Sequence, residues 1–212
     1  MDYDLHIHSK YSYDSFQKIE TILNTAHKRG LNGIAITDHN TIKGGLEAFK
    51  TNKDPNFEVI VGSEIKTEYG DILGIYLNEE IKSKSFEEVV GEIKSQDGLV
   101  ILPHPYRQYG TPESIISKVD VVEGFNARVT KSYNERSSLL AEKFDKGKSA
   151  GSDAHLSFEI GKGRVIVEND LRDSLITGKT KVVGEESNYY LVHGLSVSSE
   201  KVKKILNTLR FK

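Results

Sequence analysis

The sequence predicts an α/β fold whose sheet curls into a closed or nearly closed barrel. Three observations carry that expectation. Short apolar strands alternate with amphipathic helices from the N-terminus onward, at the intervals a helix-covered parallel sheet needs. Several strands end in histidine, aspartate or glutamate, and the C-terminal ends of strands are where α/β folds place their chemistry. No internal repeat, low-complexity tract or linker interrupts the alternation, so residues 1–212 read as a single domain, a length within reach of one β/α barrel.

Composition narrows the function classes. The balance of 29 basic against 31 acidic residues leaves a formal charge of −2, with no global attraction to nucleic acid or anionic membrane. The absence of cysteine excludes disulfides, thiolate metal ligands and a cysteine nucleophile, so any metal is held through nitrogen and oxygen. There is no apolar signal core and no apolar run of membrane-spanning length. The expectation is a soluble, cytoplasmic protein that engages no membrane.

The elements follow in order. Residues 3–8 alternate, so a strand there sends Leu5 and Ile7 to one face and His6 and His8 to the other, with Asp14 able to curl back from the following loop. Two adjacent imidazoles are poor core material, because each ring nitrogen needs a partner once buried, but they are good ligands for a divalent ion. Residues 17–29 form an amphipathic helix with Ile19, Ile22, Leu23 and Ala26 on one stripe and Gly30 as its stop; His27 lies off that stripe, solvated. Residues 33–37 (Gly-Ile-Ala-Ile-Thr) make a strand buried on both faces, ending in Asp38-His39-Asn40. Histidine is a mediocre helix cap, so His39 reads as a ligand, and Asp38 as the group that orients a ligand or caps the next helix.

Residues 46–50 suggest a short helix after Gly44-Gly45, residues 51–57 a polar loop, and residues 59–64 another buried strand closed by Glu64. Residues 71–76 follow the Gly70 turn as a neighbouring strand. Residues 85–96 are a helix with Phe86, Val89, Val90 and Ile93 inward. Strand 99–102 leads into Pro103-His104-Pro105-Tyr106-Arg107, where the flanking prolines predict an extended backbone at His104. Pro112 opens a short helix. Strand 121–125 ends at Asn126, with Arg128 just beyond. Residues 130–144 form a helix with Leu139 and Leu140 inward, and strand 148–151 runs into Ser152-Asp153-Ala154-His155. Gly161-x-Gly163 is the turn before strand 165–167, and lacks the further glycine and preceding strand of a phosphate loop. Helix 171–177 and strand 180–183 follow. Ser198 is expected to cap a terminal helix with Val202, Ile205, Leu206 and Leu209 on one stripe, while His193 reads as structural.

The strand ends together collect His6, His8, Asp14, His39, Glu64, His104, Asp153 and His155. Five of the seven histidines fall in this set, whereas random scatter would leave several on helix surfaces. Such a set exceeds one tetrahedral ion and suits two or three divalent ions bridged by a carboxylate, with Glu64 the natural bridge.

His6-x-His8, Asp38-His39, the strand-ending Glu64, His104-Pro105 and Asp153-x-His155 resemble the ordered motifs of the PHP family (polymerase and histidinol phosphatase), over about two thirds of the chain. The resemblance implies a distorted seven-stranded, TIM-like β/α barrel and metal-dependent phosphoester hydrolysis with manganese, iron or zinc. It puts His6, His8, Glu64 and Asp153 on one ion and Asp14, His39 and His155 on a second, with Glu64 bridging toward a third site that includes His104. Trinuclear members supply a further histidine after the strand corresponding to 121–125. Arg128 and Lys131 stand there instead, and Arg128 is expected to replace the third ion as a fixed positive charge. Amidohydrolases also begin with His-x-His but commonly bridge their metals through a modified lysine, and Glu64 in that role argues against them.

For such an enzyme, a metal-bridging hydroxide attacks phosphorus in line while Arg107 or Arg128 neutralises the oxyanion, the arginine fork matching two phosphate oxygens. His104 or His39 sits close to the leaving oxygen, and Asp38 and Asn126 are expected beside the ligands, orienting them. Only forty positions separate Glu64 from His104, filled by a strand and a helix, so an inserted cap does not fit and the pocket is open. The leading expectation is a phosphoesterase acting on small phosphorylated metabolites or nucleotides. The alternatives are a nuclease acting on RNA or DNA ends and a catalytically inactive, metal-stabilised binding module.

Overall fold

Three parallel strands begin the sheet: β1 (Asp2–Ile7), β2 (Gly33–His39) and β3 (Glu58–Thr67). The computed structural model describes residues 1–107 and 112–210. Only Glu68 and Tyr69 separate β3 from β4 (Gly70–Ile75), too few residues for the crossover a parallel neighbour requires, so β4 returns antiparallel. Thr67 Oγ1 closes that hairpin by donating to the Gly70 carbonyl at 2.7 Å. β5 (Leu99–Leu102) is antiparallel to β4, and β6 (Val121–Asn126) and β7 (Gly147–Gly151) continue in parallel from it. On the other side of β1, β8 (Gly163–Ile166) and β9 (Lys181–Gly184) add an antiparallel pair.

The order is β7-β6-β5-β4-β3-β2-β1-β8-β9, and the sheet curls until the chain leaving β7 meets β1. There Ile7 and Ala154 form a parallel bridge, with His8 N donating to the Ala154 carbonyl at 2.9 Å. Gly151 permits this approach, because a Cβ on it would collide with His6 Cβ. The result is the nearly closed barrel the alternation predicts, β1 to β7 forming its seven strands and β8 and β9 extending it.

An apolar cluster drawn from the strands, including Tyr3, Leu5, Ala35, Ile60, Leu73 and Ile101, fills the curl. The helices cover it outside. α1 (Ile19–Lys28) and α2 (Lys43–Thr51) pack Ile19, Ile22 and Ala48 with Ile34 and Ile36. α3 (Phe86–Ser95) and α4 (Lys131–Lys143) bury Phe86, Val89, Ile93 and Leu140. α5 (Leu171–Ile176) closes one end with Leu171 and Leu175.

Several local expectations are corrected. Leu5 and Ile7 do not share a face: the β1–β2 register shifts between Asp4 and Ile7, so Leu5 joins the barrel cluster and Ile7 packs with α1. Such an irregularity re-aims side chains, here at His6. Leu139 is exposed at 62 %, because α4 turns only Leu140 inward at that point. Pro112 begins a single 3₁₀ turn, Pro112–Ser114. The terminal helix α6 (Tyr189–Arg210) starts before Ser198, whose Oγ donates to the Gly194 carbonyl within it; Asn188 Oδ1 accepts from Leu191 N at its start instead. Its Val202, Ile205, Leu206 and Leu209 are exposed. Among the described residues no helix is long and apolar enough to cross a membrane.

Candidate metal centre

The histidines and carboxylates at the strand ends meet at one end of the barrel. His6 Nδ1 lies 3.0 Å from Glu123 Oε1, a carboxylate on β6, so that nitrogen is the donor. Its Nε2 then points at Glu64 Oε2 (3.5 Å) and Asp153 Oδ1 (3.7 Å). For His8, Ser12 decides the orientation. Ser12 Oγ gives its one proton to Asp38 Oδ1 at 2.7 Å, so His8 Nδ1 donates to Ser12 Oγ at 3.0 Å. The other ring nitrogen of His8 stands 3.3 Å from both Glu64 Oε2 and Asp153 Oδ1.

The remaining ligand candidates complete the ring. His155 Nδ1 donates to the Asp153 carbonyl at 2.8 Å and presents Nε2 to Asp14 Oδ2 at 2.8 Å. His39 reaches Glu64 Oε2 through Nδ1 (3.1 Å) and Asp14 Oδ2 through Nε2 (3.6 Å). His104 Nε2 approaches the other Glu64 oxygen, Oε1, at 3.0 Å. The fold therefore brings together all eight residues expected as ligands.

Their donor atoms fit divalent cations. His6 Nε2, His8 Nε2 and Asp14 Oδ1 are buried without a hydrogen-bond partner, an arrangement that is costly unless something positive sits between them. Ligand atoms of His8, His39 and His155 lie within 4.8 Å of one another, as do those of His6, His8 and Glu64. All are nitrogen or carboxylate oxygen, a set suited to zinc, manganese or iron.

Electrostatics point the same way. Burial, reinforced by His155 and His39, pushes the His8 ring down to about 3, the neutral form a ligand needs. Burial also disfavours charge on His39, but Glu64 and Asp14 overcome it and push that ring up to about 9. Burial likewise opposes charge on Glu64 and Asp153. Even so, His39 and His6 hold the Glu64 carboxyl well below its ordinary range, and His6 and Arg107 do the same for Asp153. A proton on His6 or His39 thus stands where a cation would.

Backbone geometry serves the same centre. Asp153 and His104 hold left-handed φ angles of +53° and +29°, conformations that cost roughly 1–3 kcal/mol each and persist where surroundings impose them. The extended backbone expected at His104 is not found. Its N–H donates to Glu123 Oε2 (2.8 Å) and its carbonyl accepts from Arg107 N (2.9 Å), a turn that swings the imidazole onto Glu64.

The supporting residues take varied places. Asp38 accepts from Ser9 N, Ser9 Oγ and Ser12 Oγ, so it organises the loop after β1 and, through Ser12, aims His8; it does not cap α2. Asn126 Nδ2 donates to Glu123 Oε2 at 3.0 Å and lies 3.4 Å from Asp153 Oδ2. Arg107 Nη1 donates to Asp153 Oδ2 at 2.8 Å, at the mouth. Arg128, expected to face phosphate, is 2 % exposed and gives Nε and Nη2 to the two oxygens of buried Glu159 and Nη1 to Ser196 Oγ. Its charge is neutralised inside the protein.

Sequence reasoning missed several partners. His193 is not merely structural. It reaches the mouth from α6, where Nδ1 donates to the Tyr189 carbonyl and Nε2 lies 3.2 Å from Arg107 Nη2. Glu123 carried a readable signal, a carboxylate in the middle of the apolar strand Val-Val-Glu-Gly-Phe-Asn. Ser12, Glu159 and Asp71 carried none. Tyr13 stacks on His39 at 4.6 Å, and Lys66, Asp71, Ser196 and Glu200 line the mouth with it.

The PHP domain family model matches residues 4–210. This chain belongs to the PHP domain family. An uncharacterized protein of Methanocaldococcus jannaschii is 49 % identical over 117 residues, covering 50 % of this chain and 68 % of that protein. A second uncharacterized protein of the same organism is 30 % identical over 177 residues, covering 78 % of this chain and 70 % of its own. In three dimensions the PHP domain resembles a two-domain protein from Bacteroides vulgatus containing a predicted PHP-like metal-dependent phosphoesterase. The TM-score is 0.76 at 17 % identity, and the match covers 87 % of this chain but only 65 % of that one.

In this PHP domain, Glu123→Gln is expected to weaken metal binding roughly 10–100-fold, the usual effect of removing a carboxylate that orients a metal-binding histidine. Competition against a chromogenic chelator measures it. An unchanged affinity would show that Glu123 does not set the His6 ring.

Proposed function

We propose that this PHP domain is a metal-dependent phosphoesterase that hydrolyses small phosphorylated metabolites or nucleotides. The observation that carries this reading is the convergence of unpartnered, buried nitrogen and oxygen donors at a mouth that also holds Arg107. His6, His8, Glu64 and Asp153 would hold one ion, and Asp14, His39 and His155 a second. When bound, such ions would supply Lewis acidity at the phosphoryl group and lower the pKa of coordinated water toward neutrality.

The chain's own residues supply the rest. Arg107 is held by Asp153 and His193 with its side chain a quarter exposed, placed to offer N–H groups to phosphoryl oxygens. His39 lies nearer the opening than His104, with 14 % of its side chain exposed against 4 %, which favours His39 as the histidine beside the leaving oxygen. Tyr13 restricts the His39 ring by stacking on it.

One observation favours a second reading, action on nucleic acid ends. A groove beside the mouth exposes Tyr11, Tyr13 and Phe16, with Lys10 and Lys203 among them, and aromatic faces with cations suit stacked bases. Both lysines are already engaged, Lys10 by Glu47 and Lys203 by the carbonyls of Lys10 and Ser12. The reading with a small phosphorylated substrate therefore leads.

The test is metal content together with manganese-stimulated hydrolysis of an aryl phosphate and a bis-aryl phosphate. Monoester turnover that disappears with a chelator is the expected result. Preferential diester turnover would transfer the assignment to nucleic acid ends. No turnover after reconstitution would remove the enzyme and leave the barrel.

A further inference from the structure

We infer that the exposed face of α6 is an interface between two copies of this chain, which pair through their α6 helices in antiparallel. The helix holds 22 of the 212 residues, yet nine of the nineteen exposed large apolar side chains among the described residues lie on it. Surface hydrophobics scattered singly need no explanation, but a concentration of this kind marks a contact surface.

Their spacing is ordered. Leu191, Leu195, Ser198, Val202, Ile205 and Leu209 follow one another at alternating intervals of four and three residues, the repeat that lays one seam along a helix. All of them but Ser198 are apolar, and those five are 39–64 % exposed. His193, Ser196 and Lys203 bind the barrel from the opposite side of the helix, so the seam points away from the domain.

The seam is also its own complement. In a twofold dimer, where residue i meets residue j, j must meet i. Laid antiparallel about the level of Glu200, the seam satisfies this along its whole length. Leu191 then meets Leu209 of the second copy, Leu195 meets Ile205, and Ser198 meets Val202. The two barrels stand on the outer sides of the helix pair and do not collide. Beside the seam run Val192, Ser199 and Leu206 on one edge and Gly194, Lys201 and Thr208 on the other, so Lys201 is the one charge there. A helix that lies on anionic lipid is flanked by several lysines and arginines, which favours a second copy over a membrane as the occupant. Lys201 meets its own counterpart, and salt should tighten the dimer by screening that repulsion. A contact along a helix about 33 Å long covers on the order of 1,000 Å² in all, the lower end of specific interfaces, and fits a reversible dimer.

The absence of cysteine makes the register directly testable. Gel filtration with light scattering should give a dimer mass for the wild-type chain at ~100 µM, the range of a reversible contact of this size. Ile205→Glu should raise the dissociation constant at least ~100-fold, because each dimer loses the side chain twice. Its circular dichroism and melting should be unchanged, since Ile205 is already 60 % exposed within its own chain. The double variant Leu195→Cys/Ile205→Cys should cross-link into a covalent dimer under mild oxidation. Neither single variant should do so, because the antiparallel register separates each cysteine from its own counterpart by roughly 15 Å. A monomeric wild type, or a dimer that survives Ile205→Glu, would overturn the interface. Monomeric protein that sediments with phosphatidylserine vesicles would overturn it in favour of lipid. Cross-linking of either single variant to itself would overturn the antiparallel pairing.

Discussion

Asp153→Asn is expected to lower metal-dependent phosphoester hydrolysis by at least ~10³-fold, more than loss of a single electrostatic contact ordinarily costs. Asp153 Oδ1 stands 3.3 Å from His8 Nε2 and 3.7 Å from His6 Nε2, while Oδ2 accepts from Arg107. The asparagine keeps the shape but removes one negative charge and turns an NH₂ group either toward the ligand cluster or toward the Arg107 guanidinium. Either orientation sets donor against donor or cation. Steady-state kcat/KM at saturating manganese, with metal content on the same sample, is the measurement. Full activity in a normally folded variant would sink the assignment of Asp153 to the centre.

Arg128→Ala is expected to act on stability instead. It strands Glu159, fully buried, with the fork that neutralised it gone, and breaking a buried pair in this way costs about 3–5 kcal/mol. For a chain of this size that corresponds to a fall in Tm of roughly 6–20 °C. Glu159 Oε2 also accepts from His155 N and Leu156 N, so the damage should reach the loop that presents His155. A double variant with Glu159→Gln should recover much of the loss, because the stranded charge is then removed as well. If Arg128→Ala instead melted normally and raised only KM, the arginine would be a phosphate clamp after all.

The two arginines illustrate what sequence can and cannot resolve. Strands, helices and the eight convergent side chains were legible because their signals are local: alternation at His6 and His8, an apolar run closed by Glu64, a proline on each side of His104. Arg107 and Arg128 look alike in one dimension. They differ only through partners far along the chain, Arg107 meeting His193 86 positions later and Arg128 meeting Glu159 31 positions later. Glu123 reaches His6 across 117 positions, which no local pattern encodes. The shift of β1 at His6 and the turned backbone at His104 were hidden for a related reason. Both are imposed by neighbours in space, and at His104 that imposition prevailed over the preference its prolines set.

One element answers to different physics from the barrel. α6 crosses the mouth on His193, Ser196 and Lys203, but leaves Ile205 and Leu209 more than half exposed and buries little besides Val192 and Ser196. Its amides are protected by its own helical ladder and a few side-chain contacts, so it belongs to the low end of the local-unfolding spectrum while β1 to β3 belong to the high end. No strand that ends in an expected ligand depends on α6 for its pairing. The mouth and the barrel are thereby set by separate parts of the sequence: α6 holds Arg107 through His193, while the strands that end in the expected ligands pair with one another without it.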